Sequence, residues 1–252
     1  MGIKPVLLIR ASGNESDKSA LESVGLESVI DPFLSISASK DPKGATYLLS
    51  ELRAATLPTW VIATSANSLR YWAIIVGLTN LKKEFQSNQV LRFAAIGSST
   101  AELFREYGAK EVLQPGISTG QGLLAELSLT PPAVAIMPIG SLTLNQVQEG
   151  LKASGWGLRV RVVYTNESVT AQPETVEGIE KGQFGAIILR SPSAVRALLN
   201  FVPYPKVPLI CGGQSAAAEL LKVGLHPTAI SEDPAPKAVA QLAARIVKGG
   251  NQ

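Results

Sequence analysis

The sequence has one cysteine and one histidine among its 252 residues. The lone Cys211 permits neither an internal disulfide nor a cysteine-based metal cluster, and we expect it to be a small buried residue near a strand end. His226 stands in a Gly-Leu-His-Pro turn, so a histidine-rich metal site is excluded and a serine–histidine triad would depend on a surface residue. No metal site is therefore expected.

Charge and long apolar runs are also scarce. Charged residues make up 17% of the chain, the net charge is +3, and no run of basic residues marks a nucleic-acid-binding arm. No apolar stretch approaches a membrane span, and the run at 6–9 stops at Arg10, which is too short for a signal peptide. We expect a globular, cytoplasmic protein that binds neither nucleic acid nor membrane.

One short pattern occurs four times along the chain. In each copy an apolar run ends in small and hydroxyl residues, and a helix-like pattern begins at once. The copies lie at 61–70, 95–101, 187–196 and 210–216. Each copy predicts a buried parallel strand, a tight turn and a capped helix. Because the copies fall in two halves, we expect two similar α/β lobes.

The strand and helix patterns alternate throughout, which predicts an α/β fold with two doubly wound parallel-sheet lobes. Such a lobe has about five strands, whereas residues 166–252 supply about three. The strands within 1–36 would complete that sheet. We therefore expect a discontinuous first lobe, 1–36 plus 166–252, and an inserted second lobe, 37–165. Two extended linkers, near 35–38 and 163–168, would join them.

Some segments of this prediction are less regular than the rest. The extended run at 29–36 is interrupted by Pro32, and residues 112–114 indicate a short strand. Residues 158–165 alternate in polarity, which favours an exposed or linking strand over a central one. No element is predicted between the helix that ends at Gly77 and the strand that follows it.

The fingerprints of nucleotide-binding proteins are absent. No Gly-x-Gly-x-x-Gly turn links a strand to a helix and no P-loop lysine motif is present, so neither NAD nor ATP is expected. Hydroxyl-rich turns follow four strands instead. Their polar residues are Thr64, Ser65, Ser98, Ser99, Thr100, Ser191, Ser193, Gln214 and Ser215.

Ordinary helix capping is the simpler interpretation of any single one of these turns. All four, however, stand at carboxyl ends of predicted strands, the edge where open α/β sheets bind ligands. Free backbone N–H groups there favour a carboxylate or phosphate. A cleft between the lobes would therefore suit an anionic small molecule.

Tyr164 lies in the predicted linking strand, beside that expected cleft. A tyrosine with an ordinary pKa near 10 stays protonated at neutral pH, so it can donate a proton or a hydrogen bond. The alternative is an amphipathic tyrosine whose hydroxyl only reaches the surface.

Seven short elements, taken in order, resemble the uroporphyrinogen-III synthase family. They are residues 6–10, 63–69, 95–101 followed by Tyr107-Gly108, 162–165, 190–195, 212–216 and 232–239. The resemblance implies two α/β lobes, the first discontinuous, joined by two extended linkers. It implies that hydroxymethylbilane, a linear polycarboxylate tetrapyrrole of heme biosynthesis, is closed into a ring with inversion of its last pyrrole, without a cofactor.

The resemblance also implies roles for particular residues. Tyr164 would donate the proton that assists departure of the substrate hydroxyl, whereas Arg10 and the hydroxyl-rich turns would bind the substrate. We expect a monomer, with the preceding pathway enzyme as a further candidate partner.

The sequence departs from the family pattern in two places. Residues 138–145 contain none of the basic residues that are common there, and Gln214-Ser215 stand where two threonines are usual. A two-lobed tetrapyrrole- or polyanion-binding protein with weakened catalysis is therefore the alternative. A solute-binding protein of the periplasmic type would share the two lobes, but the expected lack of a signal peptide argues against it.

Overall fold

The computed structural model describes residues 2–143 and 145–249. The chain divides into two compact units, Met1–Ile36 with Glu167–Gln252, and Ser37–Asn166. Each unit is built on a five-stranded sheet with helices packed on both faces. The predicted fold class, α/β with two lobes of mainly parallel sheet, is confirmed.

The elements follow one another in regular alternation. The first half contains β1 (Val6–Leu8), α1 (Asn14–Ser23), β2 (Ser28–Ile30), β3 (Leu34–Ala38), α2 (Lys43–Ala54), β4 (Thr59–Ala63), α3 (Ala66–Val76), α4 (Leu78–Ser87), β5 (Leu91–Ala95) and α5 (Ser98–Glu106). The second half contains α6 (Gly120–Leu127), β6 (Val134–Gly140), α7 (Gln146–Ala153), β7 (Gly157–Ser168), α8 (Val176–Glu180), β8 (Ala186–Leu189), α9 (Pro192–Phe201), β9 (Leu209–Cys211), α10 (Gln214–Lys222), β10 (Ala229–Ile230) and α11 (Pro236–Gly249).

The sheet of the first unit has the order β10-β9-β8-β1-β2, and each neighbouring pair is parallel. Successive residues of a strand face opposite sides. Val6 and Leu8 accordingly pack in the core that contains α1 and α11, whereas Leu7 and Ile9 pack in the core that contains α8, α9 and α10. Both sides of the strand are therefore buried, which explains its continuous apolar run.

The winding direction of this sheet reverses between β1 and β8. From β1 the chain proceeds outward to β2, and from β8 it proceeds the other way to β9 and β10. Open α/β sheets bind ligands at the carboxyl ends of the strands on either side of such a reversal. In the first unit that place is formed by the turns after Leu8 and Leu189.

The sheet of the second unit has the order β3-β7-β6-β4-β5, and the β7–β6, β6–β4 and β4–β5 pairs are parallel. An aromatic cluster fills one side of it, formed by Trp72, Phe85, Phe93 and Phe104. The winding reverses between β4 and β6, so the corresponding edge is formed by the turns after Ala63 and Gly140.

The two segments expected as linkers lie in β3 and β7. Ser39 N donates to Val163 O and Val169 N donates to Phe33 O, each at 3.0 Å. Residue numbers therefore increase along one strand while the numbers of their hydrogen-bonded partners decrease along the other, so the two strands are antiparallel. β7 therefore has neighbours on both sides, and its mixed polarity reflects half-exposed faces rather than a free edge.

Several local expectations differ from the structure. Residues 112–114 form only an isolated bridge, from Leu113 to Ala94, and the run at 29–36 belongs to two strands in different sheets, β2 and β3. The helix α4 was not predicted: Gly77, which ends α3, also begins α4, with φ of 87°. None of the helices in the described part of the chain has the length and hydrophobicity of a membrane-spanning segment.

Candidate functional site

Tyr164 lies on β7 opposite Gly140, the last residue of β6, where the register of the two strands shifts. Its ring lies directly against this glycine: a Cβ atom on Gly140 would be 2.3 Å from Cζ and 2.6 Å from the hydroxyl oxygen of Tyr164. The ring also stacks on Tyr71 of α3, with 5.6 Å between centroids and 27° between planes. Two contacts from distant parts of the unit therefore fix the half-buried phenol.

Hydrogen bonds tie the end of β6 to the backbone of Tyr164. Ser141 N donates to Tyr164 O at 3.0 Å, and Thr143 Oγ1 accepts from Gly140 N at 3.0 Å. Next to them, Asn166 N donates to Ser141 Oγ at 3.4 Å. The Asn166 Oδ1 atom is buried with no hydrogen-bond partner among the described residues. The strand that carries Tyr164 is thus anchored at this edge, and one acceptor there is still free.

Four residues that contact the ring of Tyr164 or anchor its strand were not predicted from the sequence: Tyr71, Gly140, Ser141 and Asn166. A glycine inside a strand often marks a close approach by another group, and this was the available signal for Gly140. Nothing in the local sequence connects Tyr71 to Tyr164, because the two residues meet only once α3 and β7 pack in the same unit.

The predicted turns of the second unit lie at the carboxyl edge of its sheet. Thr64 and Ser65 follow β4, and Ser65 is the N-cap of α3, with its Oγ accepting from Asn67 N at 3.2 Å. Ser98, Ser99 and Thr100 form the first turn of α5 after β5. The first two are exposed, and Thr100 is buried.

The turns of the first unit repeat this arrangement. Ser191 follows β8 and caps α9, with its Oγ accepting from Ala194 N at 3.3 Å, and Ser193 Oγ lies 2.9 Å away. Gln214 and Ser215 open α10 after β9, and both are exposed.

Among the four helices that follow the predicted turns, each unit thus contains one that is capped by serine and one that begins after glycine. Gly97 precedes α5 and Gly213 precedes α10, and neither helix has a side-chain cap among the residues described. The first N–H groups of a helix lack intrahelical partners and carry partial positive charge. Where no side chain satisfies them, they are available to an anion. Ser65 and Ser191 therefore act as ordinary helix caps, whereas the first N–H groups of α5 and α10 are not bound by a capping side chain among the described residues.

A group of charged side chains lies at the reversal edge of the first unit. Arg10 follows β1, Arg190 follows β8, and Asp17 is a buried residue of α1 between them, with 2% of its side chain exposed. Arg190 Nε donates to Asp17 Oδ2 at 3.1 Å, and its Nη2 donates to Asp17 Oδ1. The remaining Nη1 donates to Pro234 O.

Arg10 is held more loosely. Its Nη1 lies 3.8 Å from Asp17 Oδ2, and 38% of its side chain is exposed. Burial lowers the pKa of Arg10, the charge of Asp17 opposes that shift, and the charge of Arg190 adds to it. Arg10 is therefore a partly desolvated cation that shares its counterion with a second arginine.

Comparisons with known proteins agree with this architecture. In solved structures, a mutant uroporphyrinogen III synthase from Thermus thermophilus is 17% identical with a TM-score of 0.60, over 98% of this chain and 99% of that one. Uroporphyrinogen-III synthetase from Helicobacter pylori is 14% identical with a TM-score of 0.61, over 95% of this chain and 98% of that one. At 17% and 14% sequence identity, these structural similarities establish only the fold.

The sequence itself supplies the family. A search of curated proteins gave no significant match. The family model described as Uroporphyrinogen-III synthase HemD, however, matches residues 15–241, which is most of the chain. On that match, the chain belongs to the uroporphyrinogen-III synthase family and is a lyase of tetrapyrrole biosynthesis.

Proposed function

We propose that Tyr164 is the proton donor with which this uroporphyrinogen-III synthase acts on hydroxymethylbilane. The observation that carries the proposal is the placement of its phenol. Tyr164 lies opposite the end of β6, one of the two strands between which the winding of the sheet reverses. Its ring is fixed there by Gly140 and Tyr71. A donor held at one place on a ligand-binding edge is what general acid catalysis requires.

The chemistry begins with loss of water from the substrate. The phenol O–H bond breaks and its proton passes to the departing hydroxyl group, which leaves as water when the C–O bond of the substrate breaks. The substrate becomes an azafulvenium cation and the tyrosine a phenolate. Ring closure through a spiro intermediate then inverts the last pyrrole, and the proton released from carbon at closure restores the phenol. Unassisted closure gives the uninverted isomer. The protein must therefore also hold a flexible chain in one conformation, which is catalysis by orientation.

Helix N-termini are the proposed means of holding the carboxylates of the substrate. The first turns of α5 and α10 have no side-chain cap among the described residues, and Ser98, Ser99, Gln214 and Ser215 border these N–H groups. Hydrogen bonds from backbone N–H groups to a carboxylate are charge-assisted and strong. Thr64, Ser65 and Thr100 would complete the binding edge of the second unit, and Ser191 and Ser193 that of the first. Ser65 and Ser191 would act through the helices that they cap.

The test is an isomer assay with a conservative variant. Hydroxymethylbilane is generated in the presence of the protein, the products are oxidised, and uroporphyrins I and III are separated by chromatography. We expect mainly isomer III from the natural chain. Removing a general acid lowers the rate by about 10²–10⁴-fold, so Tyr164→Phe should lose turnover to that extent and keep its thermal midpoint.

Tyr204→Phe is the matched control, because Tyr204 is 81% exposed and far in sequence from the strand ends of the second unit. It should keep full activity. Undiminished turnover by Tyr164→Phe would remove Tyr164 from the donor role. Only isomer I from the folded natural chain would overturn the synthase activity and support a polyanion-binding protein instead.

We propose, in addition, that the protein acts as a monomer in the cytoplasm, with the preceding pathway enzyme as a transient partner. Sedimentation velocity with and without the preceding enzyme tests the oligomeric state and the partner.

A further inference from the structure

The charged group on the first unit contains one more positive charge than negative. Arg10 and Arg190 both lie against the single carboxylate of Asp17, and Asp17 and Arg190 are the charged groups that shift the pKa of Arg10. A buried carboxylate normally balances one cation. Within the part of the chain that the structure describes, one positive charge is therefore left without a counterion of its own, at the edge where this sheet reverses its winding.

The two arginines differ in how many of their donors are used. Arg190 donates from Nε and both terminal nitrogens, to Asp17 and to Pro234 O. Arg10 makes one long bond, from Nη1 to Gly13 O at 3.5 Å. A guanidinium has five N–H donors in a planar fork. Arg190 is thus a structural residue, whereas Arg10 has, among the described residues, only this long hydrogen bond and the 3.8 Å ion pair with Asp17.

The backbone at Arg10 is nevertheless anchored, and the loop after it passes close to the side chain. Asn14 Nδ2 donates to Arg10 O at 2.7 Å, which anchors the backbone after β1. Gly13, with φ of 76°, lets the loop pass close to the side chain, since a Cβ atom there would lie 3.3 Å from Arg10 Nη2. The backbone at Arg10 is therefore anchored, while its side chain is held by long contacts and is 38% exposed.

We propose that Arg10, Asp17 and Arg190 form a carboxylate subsite, in which Arg10 binds one acetate or propionate group of the tetrapyrrole. The identity of that ligand rests on the proposed function. Asp17 and Arg190 are positioning residues: Arg190 binds the carboxylate of Asp17 with two hydrogen bonds, and that carboxylate attracts the guanidinium of Arg10 from 3.8 Å. Arginine suits this role because its fork matches a carboxylate with two parallel hydrogen bonds.

The first experiment measures the affinity for uroporphyrinogen III by anaerobic calorimetry and the KM for hydroxymethylbilane. Arg10→Gln should weaken both by about 10–100-fold, the value of a charge-assisted hydrogen bond, with little change in kcat. Arg10→Lys keeps the positive charge but loses the planar guanidinium, so its affinity and KM should lie between those of the natural chain and those of Arg10→Gln. The control is Arg245→Gln, which removes the same charge from an exposed position on α11 of the same unit.

A double-mutant cycle separates positioning from stability. Asp17→Asn should weaken binding when Arg10 is present and have no further effect in the Arg10→Gln background. If Asp17→Asn does not fold, Arg190→Lys replaces it in the same cycle, because lysine keeps the charge and loses the fork. Additive losses would overturn the positioning role.

The outcomes also separate this subsite from the proposed function. If the natural chain forms isomer III but Arg10→Gln keeps the natural KM and affinity, the subsite is refuted and Tyr164 is unaffected. If the natural chain forms no isomer III, the proposed function fails. The affinity of Arg10→Gln for uroporphyrinogen III relative to Arg245→Gln then still decides whether the subsite exists.

Discussion

The close approach of Tyr164 to Gly140 makes a single added methyl group a sharp test of the proposed donor. In Gly140→Ala the new Cβ atom would lie 2.3 Å from Cζ, 2.6 Å from Cε2 and 2.6 Å from the hydroxyl oxygen of Tyr164. Carbon atoms in contact are separated by about 3.5–4.0 Å. The ring must therefore move by about 1 Å or more, and it cannot do so without changing its stack on Tyr71.

The expected magnitudes follow from this displacement. Overpacking a filled site costs about 1–3 kcal/mol in the free energy of unfolding. Misplacing a catalytic group by about 1 Å can lower the rate by about 10²-fold. We therefore expect Gly140→Ala to lose about 100-fold in kcat with a small change in KM, and to unfold at lower urea concentration.

The matched control is Gly157→Ala, at the start of the same strand as Tyr164. There the added Cβ atom would lie 3.5 Å from Val134 Cγ2, an ordinary contact, and kcat should not change. The double variant with Tyr164→Phe should be no slower than Tyr164→Phe alone, because groups that act together are not additive. A folded Gly140→Ala variant with undiminished kcat would refute the proposed role of the ring position.

Three further predictions concern stability, each measured by urea unfolding. Asp17→Ala leaves Arg190 buried without its partner and should cost about 3–5 kcal/mol; a loss below about 1 kcal/mol would contradict the ion pair. Burial raises the pKa of Cys211 to about 11, whereas an unfolded thiol titrates near 8.5. A raised pKa means that the folded state holds its proton longer than the unfolded state, so the unfolded state gains stability as the pH rises from about 8.5 towards 11. The difference in the free energy of unfolding between the natural chain and Cys211→Ala should therefore decrease from about pH 8.5 to pH 11. A difference that stays constant over this range would contradict the raised pKa of Cys211. Ser65→Ala should cost about 1 kcal/mol as a lost N-cap, whereas Ser98→Ala, which removes no cap, should cost almost nothing; equal losses would contradict the assignment of caps.

The fold could be predicted because its signals are local. Each parallel strand is a short apolar run, and most helices begin at a small or hydroxyl residue and end near a glycine. Strand and helix therefore appear in the sequence almost where the structure has them. α4 was missed because Gly77 looks like a helix end, and it is also a helix start. The antiparallel β3–β7 pair was missed because strand partners are not marked in local sequence.

The site was only partly predictable, because only some of its residues are marked by local sequence signals. The turns at the strand ends were expected at one edge because parallel strands end together. By contrast, Asp17 and Arg190 are 173 positions apart, and neither residue carries a local sign that it faces the other. Tyr71 and Gly140 likewise acquire a role only through the packing of Tyr164. Interactions of this kind depend on tertiary structure, which a single sequence does not show.

The structure also gives a physical reason for part of the departure from the family pattern. Residues 138–145 contain no basic residue, which from the sequence suggested a weakened anion site. At position 140, however, even a methyl group would overlap the ring of Tyr164. A long basic side chain at this position and the observed placement of Tyr164 exclude each other. The absence of a cation at position 140 is therefore compatible with catalysis by Tyr164.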